Sequence, residues 1–505
     1  MKPSIRQRTL TTLIGMAVMM LLASCSVNPA TGEQQFTALL PPSQEQEIGR
    51  EKHGKILQRM GGQVRNEALQ SYLTRIGQDL AQYGERPEIT YRFTVLDTEM
   101  VNAFAVPGGY IYITRGLLAL ARNEAEMASV LAHEIGHITA RHSAERYSHA
   151  MMTQLGTGIL STAVDSGVLS QALGLGGQLY LSGYSRKQER QADSLGLRYL
   201  TQAGYPAQAS AGFLEQLQRY KELEAAVTGR PVGGEGVAAY FATHPQTEER
   251  ILTAKEEAGE EAGIRGARVD SGESKGLSRE DYYARIDGMV YGPSPEQGFV
   301  RKSKFLHPRL GFQFEIPGDY KVENRPEAVI VRDSATAAQA IFDSQPNAAK
   351  VSPAKYVTDV WGSEADFRPE NVETFTLHGK RAATATVPAK IRETGAPATL
   401  RLYAIEWTPE RFYRFALVYP ADATKKKRLD LRNMVMSFRD LTSDMPEARP
   451  NRIALIKAQP GDTVSSLAAG FPFDDGHNQA RFRTLNGLAP DENLETGRQY
   501  KVIRG

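Results

Sequence analysis

Only one cysteine, Cys25, stands among 505 residues. That scarcity excludes an intramolecular disulfide and a zinc site built on thiolates. Charge of one sign is lacking too: a formal net charge of +2 leaves no basic excess for a nucleic-acid partner. Long apolar runs are almost absent. The stretch from Leu10 to Ala23 is short for a hydrocarbon core of about 30 Å, and the Gly-, Leu- and Ser-rich stretch from Thr153 to Leu181 is interrupted by Asp165. Material for cores is plentiful. Hydrophobic side chains make up 41% of the chain, enough at this length for about three cores.

Against that background, His133-Glu134-Ile135-Gly136-His137 carries the strongest chemical signal. Imidazoles at i and i+4 lie one turn apart on one helical face, so both reach one metal ion. Glu134, beside the first, is placed to hold a water there as general base. Asn123 followed by Glu126 reads as a capping-box-like helix start. Met127, Leu131, Ile135 and Ile138 form an apolar stripe, so the helix is buried and its polar side chains need partners. Gly136, which costs about 1 kcal/mol relative to Ala in a helix interior, makes room for a close-packed neighbour.

A zinc hydrolase uses three protein ligands and one open position. The third is expected from the segment Tyr184 to Asp193, which opens a second helix running to about Leu200. Glu189 and Asp193 share a face there, and Ala192 and Gly196 are small enough for close helix contact. The expected site is therefore one Zn2+ per chain held by His133, His137 and Glu189. Glu134 is the catalytic base, and Asp193 accepts the second imidazole N–H of a ligand histidine. Upstream, Phe104, Val106 and Tyr110 to Ile113 are β-formers around a Pro-Gly-Gly turn. They make either a plain core hairpin or a rim strand that pairs with an extended substrate.

In order along the chain, these segments resemble the zinc metallopeptidase family (HExxH gluzincins) that contains the CAAX prenyl proteases, the Oma-type proteases and the periplasmic BepA-like proteases. Asn102 to Leu118 resembles its strand-and-turn element. Ser185-Arg186 with Glu189 and Asp193 resembles its third-ligand motif, with Gln191 where the family often has a second Glu. Thr243-His244-Pro245 resembles a downstream motif whose histidine, in BepA-like members, approaches the zinc. The resemblance covers roughly residues 27 to 255 and implies substrate binding at Asn102 and Ala103. His244 precedes a proline suited to a first helical position, and three roles stay open for it: a helix cap, a fourth ligand that gates the site, or a hydrogen-bond donor to the transition state.

At the N-terminus Lys2, Arg6 and Arg8 precede the Leu10–Ala23 run and then Leu22-Ala23-Ser24-Cys25, a secretory signal. Its ending resembles a bacterial lipobox, which implies lipidation of Cys25. Ser26, where Asp would favour the inner membrane, implies the outer one. The stretch from Thr153 to Leu181 is a helical hairpin or cover over the cleft, or plain helical packing.

Beyond Ala254 the chain is dense in Glu, Ala, Gly and Arg, as a linker would be. Alternating segments follow at Leu310 to Pro317, Thr374 to Leu377, Ala382 to Val387, Leu400 to Trp407 and Phe412 to Val418, then a helix with Leu429, Leu431 and Met434. His307 and His378 read as turn residues. The Lys425–Arg428 run is a solvated helix start or a contact for anionic headgroups. From Gln459 to Gly497 the turn signals resemble a lysin motif, a glycan-binding module or a small structural tail.

The expected architecture is multidomain. A signal peptide (1–24) precedes a mainly α, zincin-like metallopeptidase domain with a small edge sheet (25–255). A linker (256–290), an α+β sandwich domain (291–445) and a lysin-motif-like C-terminal module (446–505) follow. The expected protein is a membrane-anchored, zinc-dependent endopeptidase of the bacterial cell envelope, lipid-anchored in the periplasm, that degrades misfolded or misassembled envelope proteins. The alternative is an outer-membrane protein assembly factor or chaperone with gated or minor proteolysis. Expected partners are polypeptide substrates, the membrane through the lipid anchor, and peptidoglycan or the assembly machinery.

Overall fold

The computed structural model describes residues 25–158, 183–229, 240, 243–245, 248–266, 275–276, 278–318, 320–325, 327–365, 368–391, 394–442 and 445–505. The signal segment and most of the Thr153–Leu181 stretch lie outside them. The chain forms two compact units: Met1–Gly292 together with Asn451–Arg504, and Pro293–Pro450.

The first unit opens with a short antiparallel pair, β1 (Cys25–Val27) and β2 (Gln34–Phe36). Helices α1 (Pro42–Arg59) and α2 (Glu67–Ala81) follow. Strands β3 (Arg92–Leu96), β4 (Ala103–Val106) and β5 (Tyr110–Thr114) form a sheet in the order β3-β5-β4, which puts β4 at an edge. Gly108 and Gly109 make the turn between β4 and β5 at φ +85° and +88°, a region that favours glycine. Next come α3 (Arg115–Leu120), α4 (Glu124–Thr139), α5 (His142–Gly158), α6 (Arg186–Gln202), α7 (Gln208–Thr228), α8 (Glu248–Gly266) and α9 (Arg279–Ile286).

Helix α4 begins where its cap predicts: the Asn123 side chain accepts from the Glu126 amide at 2.9 Å. The Glu126 carboxylate closes no box; it turns to Arg122 instead. Every residue of α4 from Ala125 to Thr139 is buried. Its close neighbour is α6, and glycine makes the approach possible. A Cβ at Gly136 would lie 3.0 Å from the Ala192 carbonyl oxygen, and one at Gly196 would lie 2.9 Å from the His133 nitrogen. At the start of α6, Ser185 and Gln188 form a full capping box.

Part of the segment expected as a linker (256–290) is built into this core. Helix α9 buries Tyr282, Tyr283 and Ile286, and the Tyr282 hydroxyl donates to the Leu118 carbonyl at 2.7 Å. Two adjacent buried tyrosines on a short charged helix give a weak periodic signal, which is why composition alone reads as a tether.

The second unit is sheet-rich. Seven antiparallel strands run in the order β12-β13-β14-β15-β11-β10-β9, beside a four-stranded sheet β16-β8-β7-β6. Chain order among these is β6 (Phe299–Arg301), β7 (Lys304–His307), β8 (Phe312–Glu315), β9 (Tyr320–Asn324), β10 (Val329–Asp333), β11 (Gln339–Pro346), β12 (Glu370–Leu377), β13 (Lys380–Lys390), β14 (Pro397–Thr408), β15 (Arg411–Pro420) and β16 (Arg439–Asp440). Helix α10 (Lys425–Met436) starts at the basic run and is capped by Thr424. His307, expected in a turn, is instead the last residue of β7, where its Nδ1 accepts from the Leu310 amide in the turn that follows; His378 sits at φ +44° in the turn between β12 and β13.

The C-terminal module, expected as a separate unit over 446–505, instead packs its residues 451–504 into the first unit. They run β17 (Arg452–Lys457), α11 (Val464–Ala468), α12 (Asn478–Asn486) and β18 (Gln499–Arg504), with β17 and β18 antiparallel. Lys501 of β18 is 0% exposed, and its Nζ donates to the carbonyls of Ala119 and Ala121 at 2.7 and 2.8 Å. These carbonyls belong to the last turn of α3 and to the residue that caps it, where carbonyls lack helical partners. Gln216 of α7 donates to both the Leu120 carbonyl and the Thr484 carbonyl, tying the tail to the same place. Burial drives the Lys501 pKa well below its ordinary value, so the lysine is held by geometry at a cost in solvation.

Lys501→Ala leaves two buried carbonyls without a donor and should destabilise the full-length protein by about 1–3 kcal/mol. Urea unfolding checks this; an unchanged midpoint would show that the tail merely rests on the peptidase.

Candidate metal centre

Four buried side chains converge: His133 and His137 from α4, Glu189 from α6, and His244 from the segment ahead of α8. One ligand atom from each lies within 4.8 Å of all the others. His133 Nε2 is 3.0 Å from His137 Nε2 and 3.3 Å from His244 Nδ1. Glu189 Oε1 lies 3.0 Å from His244 Nδ1 and 3.6 Å from His137 Nε2. Three imidazole nitrogens and a carboxylate oxygen at such spacings share one focal point, and a nitrogen–oxygen donor set with no thiolate suits zinc. The group fits.

Glu134 stands beside the focus. It is 0% exposed, neither oxygen has a hydrogen-bond partner, and His244 Nε2 lies 3.3 Å from Oε1. Burial raises its pKa above the ordinary carboxylate value, against a lowering by His244 and His133.

Each α4 histidine is held from behind by its other nitrogen. His133 Nδ1 meets Asp193 Oδ1 at 2.9 Å. Arg250 of α8 clamps Asp193 through Nε at 2.7 Å and Nη2 at 2.8 Å, and also pairs with Glu189 at 2.5 Å. For Asp193 burial opposes the charge, but Arg250 and His133 outweigh it and lower the pKa. For Glu189, likewise, burial is outweighed by His244, His137 and Arg250. His133 is raised because Asp193 overcomes its burial, whereas burial takes His137 well below the ordinary value.

His137 leans on other groups. Its Nδ1 is 2.9 Å from His142 Nδ1, and the Tyr184 ring stacks on it at 3.7 Å between centroids. Burial lowers His142 to about 4. Beside Tyr184 lies a cavity of about 470 Å³ lined in part by Glu33, Glu145, Arg146, Lys187 and Gln191.

Asn102, just ahead of edge strand β4, is 1% exposed and accepts from the Thr243 hydroxyl at 3.3 Å, which joins the strand to the His244 segment. Ala103 is buried in β4 opposite Ile113. Cys25 opens β1 with its backbone opposite Phe36, away from these contacts in the chain. Two residues of the site escaped the sequence reading. Arg250 sits in an ordinary-looking acidic helix start, Glu248-Glu249-Arg250, and His142 follows the pentapeptide by one more turn. Only the i+5 spacing from His137 hinted at the latter.

A helix bearing HExxH, packed against a second helix that supplies a carboxylate to the same focus, defines a metallopeptidase centre. Residues 67–258 match the model of peptidase family M48, a segment that includes every side chain of this centre. A beta-barrel assembly-enhancing protease of Escherichia coli (strain K12) is 28% identical over 241 residues, 45% of this chain and 45% of that protein. The mitochondrial metalloendopeptidase OMA1 of Arabidopsis thaliana is 32% identical over 163 residues, 32% of this chain and 30% of that protein. Its counterpart in Schizosaccharomyces pombe is 30% identical over 187 residues, 37% of this chain and 52% of that protein. The chain thus spans about half or less of each relative's length.

Asp193→Asn should weaken zinc binding about 10–100-fold by loosening His133. Competition with a chromophoric chelator measures this, and unchanged affinity would remove Asp193 from any supporting role.

Proposed function

We propose that the chain is a zinc-dependent endopeptidase of the bacterial cell envelope, anchored through a lipid on Cys25 and acting on misfolded or misassembled envelope proteins. The observation that carries the reading is Glu134 standing fully buried beside the convergence of His133, His137, Glu189 and His244. A zinc ion held by the first three would polarise the scissile carbonyl and make a water acidic enough to attack at neutral pH. Glu134, buried beside the focus, is placed to take the proton from that water and hand it to the departing amine. Asp193 and Arg250 keep His133 aimed during both steps. Edge strand β4 offers main-chain groups to an extended polypeptide, with Asn102 and Ala103 at its start.

His244 favours the gated form of this reading. At 0% exposure it stands 3.3 Å from Glu134 and 3.0 Å from Glu189, where a fourth protein ligand would exclude water from the open position. Tyr240 stacks on its ring and Asn102 binds Thr243, so the gate is latched to the substrate strand. A polypeptide that displaces the edge strand's contacts would release His244. Restrained proteolysis of this kind leaves room for a role in assembling outer-membrane proteins. The Escherichia coli relative, a beta-barrel assembly-enhancing protease, is in keeping with that role.

Glu134→Gln should lower casein cleavage by about 10²–10⁴-fold while zinc stays bound; cleavage at the wild-type rate would exclude it as base. His244→Ala should raise basal proteolysis. A fall in turnover instead would make His244 a transition-state donor and refute the gate. Cys25→Ser should release the protein into the soluble periplasmic fraction or trap its precursor, and an unmodified mature N-terminus elsewhere, found by mass spectrometry, would contradict the anchor.

A further inference from the structure

Behind His137 lies a hydrogen-bond chain that runs outward to the N-terminal hairpin, and its direction can be fixed one atom at a time. Glu33, in the turn between β1 and β2, is exposed, and Lys187 Nζ at 2.6 Å holds its carboxylate ionised. A carboxylate only accepts, so the Gln191 group 2.8 Å from Glu33 Oε2 is the amide nitrogen. The Gln191 carbonyl oxygen therefore faces His142, 3.0 Å from its Nε2. A carbonyl also only accepts, so His142 carries its hydrogen on Nε2 and leaves Nδ1 bare. Bare His142 Nδ1, 2.9 Å from His137 Nδ1, accepts the hydrogen there. His137 is then left with a lone pair on Nε2, the atom aimed at His133 and Glu189.

We propose that His142 and Gln191 are positioning residues that set the tautomer of His137, so that its Nε2 is free to bind the metal. The inference rests on the zinc reading of the site. It assigns a task to Gln191, the position at which this chain departs from the acidic residue often found in the family it resembles. An amide does there what a carboxylate would also do, accept from His142, while its other end draws in Glu33. The reverse order fails chemically. If residue 191 donated to His142 Nε2, His142 would bear its hydrogen on Nδ1, His137 Nδ1 would have to be bare, and the His137 hydrogen would point into the metal focus. A ligand histidine oriented by a second group gains affinity on the order of 10–100-fold, and here that group is an imidazole whose own orientation is set one residue further out.

The test uses the full-length protein with Gln191→Glu, Gln191→Met and Gln191→Lys. Gln191 is only partly buried, so all three are tolerated by the fold, and thermal unfolding of the zinc-free proteins verifies it. Zinc affinity is measured by chelator competition. The acceptor variant Gln191→Glu should bind zinc within about threefold of wild type, whereas the apolar Gln191→Met and the donor-only Gln191→Lys should bind about 10–100-fold more weakly. Loss in all three alike, or in none, would overturn the tautomer assignment while leaving the zinc reading intact. A wild-type protein that takes up no zinc would overturn both, and the two failures are told apart by that measurement alone. Nitrogen-15 spectra of the zinc-free proteins add a signature that a purely structural role would not move: His142 protonated on Nε2 in wild type and Gln191→Glu, and on Nδ1 in Gln191→Lys.

Discussion

Burying two carboxylates, with a third half-buried beside them, is the constraint on which the peptidase unit depends. Glu134 and Glu189 are 0% exposed, and Asp193 is enclosed between His133 and Arg250. The penalty for each buried ion is several kcal/mol unless opposite charge and hydrogen bonds compensate. Arg250 answers two of them, Asp193 and Glu189. Glu134 has no arginine beside it, only His244 at 3.3 Å, and a cation at the neighbouring focus suits its position. Metal affinity and local stability are thus one quantity here, because the groups that hold the ion are those that the fold would otherwise struggle to enclose.

That constraint explains features far from the focus. Helices α4 and α6 must come close enough for histidine and carboxylate to meet, so Gly196 stands where a side chain would collide with the α4 backbone and Gly136 where one would press tightly on α6. The start of α4 follows directly on α3, whose last carbonyls are taken by Lys501 and Gln216. The tail therefore braces the short helix and turn that set where α4 begins. A domain boundary drawn by sequence position would cut this brace. The compact unit is assembled instead from both ends of the chain, with residues 293–450 inserted as a unit of their own.

Much of the centre was legible from local spacing. His133 and His137 are one turn apart, and Glu189 and Asp193 repeat that interval next to small residues, so each helix announced its own face. Partners across long separations were not legible. Arg250 finds Asp193 from 57 residues away, and in sequence it is one more charge at a helix start. Lys501 sits in an alternating strand, where a lysine reads as the solvent side; only the unpaired ends of α3 reveal why it turns inward. Tyr282 and Tyr283 were hidden in the same way, since a short charged helix beside a Gly-rich stretch looks like a tether until the core it fills is known. Strands of the second unit were readable because alternation is local, whereas the order in which they pair was not.

The central claim is that His133, His137 and Glu189 share one ion that His244 closes. Zinc-edge X-ray absorption on the purified full-length protein tests it most directly. The account predicts one zinc per chain with nitrogen and oxygen ligands at about 2.0–2.2 Å, three of them imidazoles, falling to two imidazoles in His244→Ala. A zinc with the same imidazole count in both proteins would contradict the gate, and one bound by fewer than two imidazoles in the wild type would contradict the site itself.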